Sequence, residues 1–95
     1  MPTTLRLSGR FLSEKDSAHL EAEFGPPAII RRHSVEGERI ELSHDLSPVD
    51  RERLLVQLGY SEQFARVVRC AQEDGARVIQ WCGDGEEPAG YPPAV

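Results

Sequence analysis

The segment that most constrains the fold is 61–82, "SEQFARVVRCAQEDGARVIQWC". Its apolar residues recur at i, i+3, i+4 and i+7, the spacing of one face of an amphipathic helix; they are Phe64, Val67, Val68 and Ala71. Ser61 is a typical N-cap residue and Gly75 a typical stop, so the pattern predicts a helix over 62–74. The apolar run "ARVIQWC" follows directly and predicts a strand, which makes this half of the chain a helix packed on a sheet.

Two strands and a helix are indicated earlier in the chain. The alternation in "TTLRLSGRFL" predicts a strand that ends near residue 9, and the capping pair Ser13 and Asp16 predicts a helix over 14–24. The segment "AIIRRHSVEGERIELSH" predicts a hairpin with two candidate registers. A two-residue loop places Arg32 opposite Glu41, whereas a three-residue loop places Arg31 opposite Glu41. The second is favoured because it gathers the apolar residues on one face.

A further short helix is predicted over 48–58, since Ser47 is suited to the N-cap and Pro48 to the first helical position. The complete order predicts an α+β fold, the ferredoxin-like βαββαβ sandwich. Its four-stranded antiparallel sheet would carry the helices on one face, with one extra short helix before the last long helix. We expect residues 1–95 to form a single domain, with 83–95 as a loosely ordered Gly/Pro-rich tail.

The formal net charge of −5 and the pI of about 5.1 disfavour direct binding to nucleic acid or to an anionic membrane. No signal peptide and no apolar run of about 18 residues is apparent, so we expect a cytoplasmic protein. Cys70 and Cys82 are too few and too far apart for a disulfide scaffold or a zinc ribbon. We expect no metal and no cofactor.

The composition of the stretch "VIQWCGDGEEP" over 78–88 suggests three kinds of site, namely a calcium loop, a transition-metal site and a cysteine nucleophile. The stretch lacks the ligand spacing of the first two, and the sequence shows no base that would activate Cys82. A strand that ends in a turn is the favoured interpretation. Trp81 is then either a core residue or the exposed anchor of a protein interface.

No catalytic constellation can be singled out by spacing, so we expect the protein not to be an enzyme. The candidate residues are instead sites of protein contact. The first group is the acidic face of the first helix, formed by Glu14, Asp16, Glu21 and Glu23. The second group comprises an aromatic anchor and the last turn, formed by Trp81, Asp84, Glu86, Glu87 and Tyr91.

Two segments, "LRLSGRFLSEKDSAHLEAEF" and "QFARVVRCAQEDGARVIQWCGDGEEPAGYPP", resemble a family of small uncharacterised proteins carried by proteobacterial plasmids and integrative elements. They cover about half of the chain, and their motifs are of low specificity. The sequence departs from the family at Phe11, where His is expected, and at Cys82, where Asp is expected. Any polar site that the family forms with those residues would be incomplete here. The resemblance implies a mobile-element context.

The leading hypothesis is a small acidic inhibitor of a host nucleic-acid-targeting defence complex, of the anti-CRISPR or antirestriction type. It would bind as a monomer or homodimer to a basic surface of a host protein or ribonucleoprotein. One alternative is an immunity or antitoxin protein that neutralises a toxin. The other is a small enzyme or ligand-binding module that uses Cys82 with the hairpin histidines His33 and His44.

Overall fold

The computed structural model describes residues 4–21, 31–33, 38–42 and 46–94. The strands are β1 (Thr4–Ser8), β2 (Arg31–His33), β3 (Glu38–Glu41) and β4 (Val78–Cys82). The helices are α1 (Glu14–Glu21), α2 (Pro48–Gln57) and α3 (Glu62–Glu73), and a short 3-10 helix (Gly9–Phe11) follows β1. Within these ranges, none of the helices combines the length and the apolar character needed to cross a membrane.

The sheet is mixed, so the predicted antiparallel ferredoxin-like sandwich is wrong, although the fold is α+β. The strand order is β1-β4-β3-β2. β1 pairs with β4 in parallel, with Leu7 opposite Trp81, whereas β3 pairs antiparallel with both β4 and β2. β4 therefore lies inside the sheet between β1 and β3. In the ferredoxin-like sandwich all neighbouring strands would be antiparallel.

The connection between β3 and β4 gives the physical reason for this difference. A single helix would carry the chain back to the start of β3 and deliver a strand parallel to it. Here the chain makes two consecutive helices, α2 and α3, which are joined by only four residues and therefore pack as an antiparallel pair. The second helix returns the chain to the end at which β3 stopped, so β4 runs antiparallel to β3.

Several local predictions are confirmed. Ser13, Ser47 and Ser61 each accept a hydrogen bond from the backbone N–H three residues later, at 3.1 to 3.2 Å. α2 and α3 each end one residue before the predicted boundary, and the last three residues of the predicted first helix lie outside the described residues. Arg31 lies opposite Glu41, which is the favoured hairpin register. The turn that contains Gly37 lies outside the described residues.

All three helices contribute to one buried cluster against the sheet. A row of rings crosses it from helix to sheet. His19 of α1 meets Tyr60 edge-on at 4.6 Å between ring centroids, Tyr60 stacks on Phe64 at 4.8 Å, and Phe64 stacks on Trp81 of β4 at 5.6 Å. Such ring pairs stabilise the core beyond their buried area. The row thus joins α1, α3 and β4 through side chains.

Candidate protein-interaction surface

Trp81 lies in the core and is not an exposed anchor. Only 4% of its surface is exposed, and its ring stacks on Phe64. The parallel register places it beside Leu7, which is completely buried. Of the two roles expected for Trp81, the structure therefore supports the core residue, and Trp81 is not part of an exposed interaction surface.

The last turn covers the outer edge of β1. β4 occupies one edge of β1, and Glu86 occupies the other, where its N–H donates to the Arg6 carbonyl at 2.9 Å and its carbonyl accepts from the Ser8 N–H at 2.9 Å. The chain reaches that edge by crossing β1 at Gly85, where an added Cβ would lie 2.6 Å from the Ser8 nitrogen. An open strand edge invites pairing with other chains, and this turn closes it.

Two predicted contact residues of this turn are already paired within the protein. Asp84 forms an exposed ion pair with Arg6 at 3.3 Å, and Glu87 forms one with Arg10 at 2.8 Å. Each is worth less than about 1 kcal/mol at an exposed position. Their geometric effect is to hold the crossing turn against β1, and Glu86 beside them remains exposed.

The final segment packs on the body, although a loosely ordered tail was expected. Tyr91 is buried, its ring meets Phe11 edge-on at 6.3 Å, and its hydroxyl donates to a carboxylate oxygen of Asp74. Burial, together with that hydrogen bond, raises the pKa of Tyr91. The Gln63 side-chain amide donates to the Pro92 carbonyl at 2.8 Å. Tyr91 is therefore part of the packing between the tail and α3.

Asp16 is also buried, so it cannot belong to an exposed acidic face. Its exposed fraction is zero, and its two carboxylate oxygens accept three hydrogen bonds. The donors are the Ser13 hydroxyl at 2.6 Å, the Ser61 N–H at 2.9 Å and the Ser61 hydroxyl at 2.6 Å. Since Ser61 is the N-cap of α3, this carboxylate joins the start of α1 to the start of α3.

Of the other three residues predicted on the acidic helix, the structure describes one side chain. Glu14 is exposed at the start of α1. Glu21 ends α1 and its side chain is not described, and Glu23 lies outside the described residues. The predicted set of four carboxylates is therefore represented on the described surface by Glu14.

The side chains of His19, Cys70 and Cys82 do not come together, and that of His33 is not described. His19 contacts the Leu58 carbonyl through Nε2 at 2.7 Å, which places it at the C-terminal end of α2. Cys70 and Cys82 are free thiols, and burial raises the pKa of Cys70. Among the described residues, no group of three His, Cys, Asp or Glu side chains is placed to hold a metal ion. His44 lies outside those residues.

A groove between α2 and α3 is the surface feature that the sequence predictions missed. It has a volume of about 390 Å³ and is open to solvent. Val49 and Val56 line it and are 44% and 40% exposed; they are the two exposed large apolar residues in the described part of the chain. The other lining residues are Glu52, Arg53, Gln57, Glu62 and Arg66.

The sequence carried a signal for this groove in the way that the apolar residues of α2 are distributed around the helix axis. At about 100° per residue, Leu54, Leu55 and Leu58 cluster on one side of the helix, and Val49 and Val56 lie roughly opposite. A helix with a single core face has one apolar stripe, whereas α2 has two. The leucine stripe packs on the core. The valine stripe faces outwards.

Two arginines at the groove differ from three other surface arginines in their ion pairing. Arg6, Arg10 and Arg69 each form an ion pair with a carboxylate. Arg53 and Arg66 are exposed, and neither forms an ion pair within 4 Å with any residue that the structure describes. The groove thus presents two guanidinium groups beside its exposed apolar stripe.

Comparison of the chain with protein-family models, with curated proteins and with solved structures finds no match. The resemblance to a family carried by plasmids and integrative elements accordingly stays a prediction. The α2–α3 groove is the candidate contact surface of the described residues.

Proposed function

We propose that this protein is a small, non-catalytic, cytoplasmic binding protein whose contact surface is the α2–α3 groove. The observation that carries the proposal is the second apolar stripe of α2. Val49 and Val56 leave about two fifths of their surface in water, whereas the other large apolar side chains that the structure describes are buried or half-buried. An apolar patch rimmed by charged groups is typical of a protein contact site.

Within this class, we propose the role of an inhibitor that covers a surface of a larger host complex, one that targets nucleic acid. Support comes from the net charge of −5, which attracts the chain to basic partners over distances of about 8 Å at physiological ionic strength. The exposed carboxylates, such as Glu14 and Glu86, contribute to that attraction. The contact itself is assigned to the groove, because burying apolar surface provides affinity, whereas exposed charges mainly raise the rate of encounter.

An immunity or antitoxin protein would use the same kind of surface, so the identity of the captured partner separates the two roles. The test is affinity capture from a lysate of the native host, with the partner identified by mass spectrometry. The V49S/V56S variant removes the apolar stripe. The matched control is A18S/A89S, which makes the same type of change at two exposed alanines outside the groove.

The wild type and A18S/A89S should capture the same partner, and V49S/V56S should lose it while its circular dichroism spectrum stays unchanged. A second variant, E14K/E86K, reverses two exposed carboxylates and should slow association without abolishing the complex. Capture that survives V49S/V56S, or that is lost only in E14K/E86K, would show that the groove is not the contact surface. Failure of the wild type to retain any protein would overturn the binding function itself.

A further inference from the structure

The spacing of the two exposed valines fits the side chains of another helix. Val49 and Val56 are seven residues apart on α2, two helical turns or about 10 Å along the axis. Apolar residues at the same spacing on a second helix would lie on this stripe. In an extended strand, successive side chains point to opposite faces, so half of them would point away from this stripe. A strand would therefore make fewer contacts with the two valines than a helix.

The charges of the groove indicate the chemistry of that helix. Arg53 lies between the two valines along α2, and Arg66 lines the groove from α3. Glu62 is four residues before Arg66 on the same helix, yet no ion pair joins them in the structure. Two exposed guanidinium groups beside an apolar stripe complement carboxylates, which can accept bidentate hydrogen bonds from arginine.

We propose that the groove receives an amphipathic helix of a partner protein, with two apolar side chains seven residues apart and carboxylates between them. This inference rests on the proposed binding function and names the partner element that the groove recognises. The partner can be basic overall and still present an acidic helix to the groove. Ion pairs with that helix act within about 4 Å, whereas attraction between the net charges of the two proteins acts over about 8 Å.

Two other occupants fit the groove less well. Nucleic acid would offer no apolar side chains to Val49 and Val56, and its phosphates would approach a chain with a net charge of −5. A second copy of this chain, related by a two-fold axis through the groove, would bring the same surface against itself. Each copy carries a net charge of −5, and the repulsion between two such copies opposes that self-association.

The experiment uses two synthetic helical peptides labelled with fluorescein. The acidic peptide carries two leucines seven residues apart with glutamates between them, and the basic peptide carries lysines in place of the glutamates. Binding to the full chain is measured by fluorescence anisotropy. Backbone amide shifts in 15N-labelled protein locate the site without any substitution.

The wild type should bind the acidic peptide about tenfold more tightly than the basic one, with amide shifts centred on Val49, Arg53 and Val56. R53E/R66E should invert that preference. V49S/V56S should weaken the binding of both peptides by a similar factor, because it removes apolar contact and leaves the charged side chains in place. K15E, which reverses an exposed charge on α1, should leave the preference unchanged.

The inference is overturned if neither peptide binds, if the basic peptide binds better, or if R53E/R66E leaves the preference unchanged. A concentration-dependent dimer of the wild type that V49S/V56S abolishes would also overturn it, since the occupant would then be a second copy. These outcomes are distinct from failure of the proposed function. If capture of the host partner depends on Val49 and Val56 but not on Arg53 and Arg66, the proposed binding function is supported and the acidic helix is ruled out as the occupant.

Discussion

Gly85→Ala tests whether the last turn is a structural crossing of β1. A Cβ at this position would overlap the Leu7 carbonyl group and lie 2.6 Å from the Ser8 nitrogen. Those atoms belong to β1 and are held by the ladder with β4, so they cannot move aside as a flexible side chain would. The cause is steric alone, since Gly85 is not among the glycines with positive φ.

The magnitude follows from what must separate when the turn moves away from β1. The two hydrogen bonds between Glu86 and β1 are lost, at about 1 kcal/mol each. The ion pairs of Asp84 and Glu87 add a few tenths of a kcal/mol each. We therefore expect the free energy of unfolding to fall by about 2 to 3 kcal/mol. For a domain of this size, the melting temperature should fall by about 10 °C or more.

The assay is urea denaturation followed by the fluorescence of Trp81, with thermal melts followed by circular dichroism. The matched control is Gly83→Ala, two residues earlier in the same turn, where an added Cβ meets no atom within 4 Å. It should be neutral or stabilising by up to about 1 kcal/mol, because alanine restricts the unfolded chain. If the two variants unfold within about 0.5 kcal/mol of each other, the crossing of β1 at Gly85 is refuted.

Three further predictions concern buried polar groups. Asp16→Ala should lower the free energy of unfolding by about 3 kcal/mol, because Ser61 loses a charged acceptor. Asp16→Asn should lower it by less than half as much. Equal losses of the two variants in urea denaturation would contradict this prediction. Burial, with the Asp16 carboxylate, raises the pKa of Tyr60 to about 12, and the pKa of Tyr91 is also raised. The folded state favours the protonated form of both hydroxyls. The free energy of unfolding, followed as the urea midpoint, should therefore be unchanged below about pH 10 and fall as the pH rises through about 12. Burial raises the pKa of the Cys70 thiol, so iodoacetamide should modify its peptide more slowly in the folded chain than in urea, and equal rates would argue against it.

The local structure could be predicted from the sequence because its determinants are local. The N-caps at Ser13, Ser47 and Ser61 and the stop at Gly75 are encoded within four residues of the helix ends they define. The hairpin register followed from keeping the apolar residues of β3 on one face. These features do not depend on which strand lies beside which.

The sheet order could not be predicted in the same way, because it depends on how α2 and α3 pack together. The sequence predicted both helices, yet the fold was assigned as if they formed one crossover. Once they form an antiparallel pair, the direction of β4 reverses, and β1 pairs with β4 in parallel. The crossing at Gly85 was equally hidden, since it brings together backbone atoms that are far apart in sequence.

The same long-range contacts explain why the predicted site residues were misleading. Composition makes every Asp and Glu a candidate for binding, but a chain of this size uses many of them in its own structure. Asp16 joins two helix starts, Asp74 accepts from Tyr91, and Asp84 pairs with Arg6. Reversing the charge of the first helix, Asp16 included, would break the α1–α3 junction, and loss of binding would then report unfolding. Substitutions at Val49, Val56, Arg53 and Arg66 avoid this ambiguity, because these side chains are exposed and form no ion pair with the residues that the structure describes. A function carried by the groove can therefore be removed while the fold is retained.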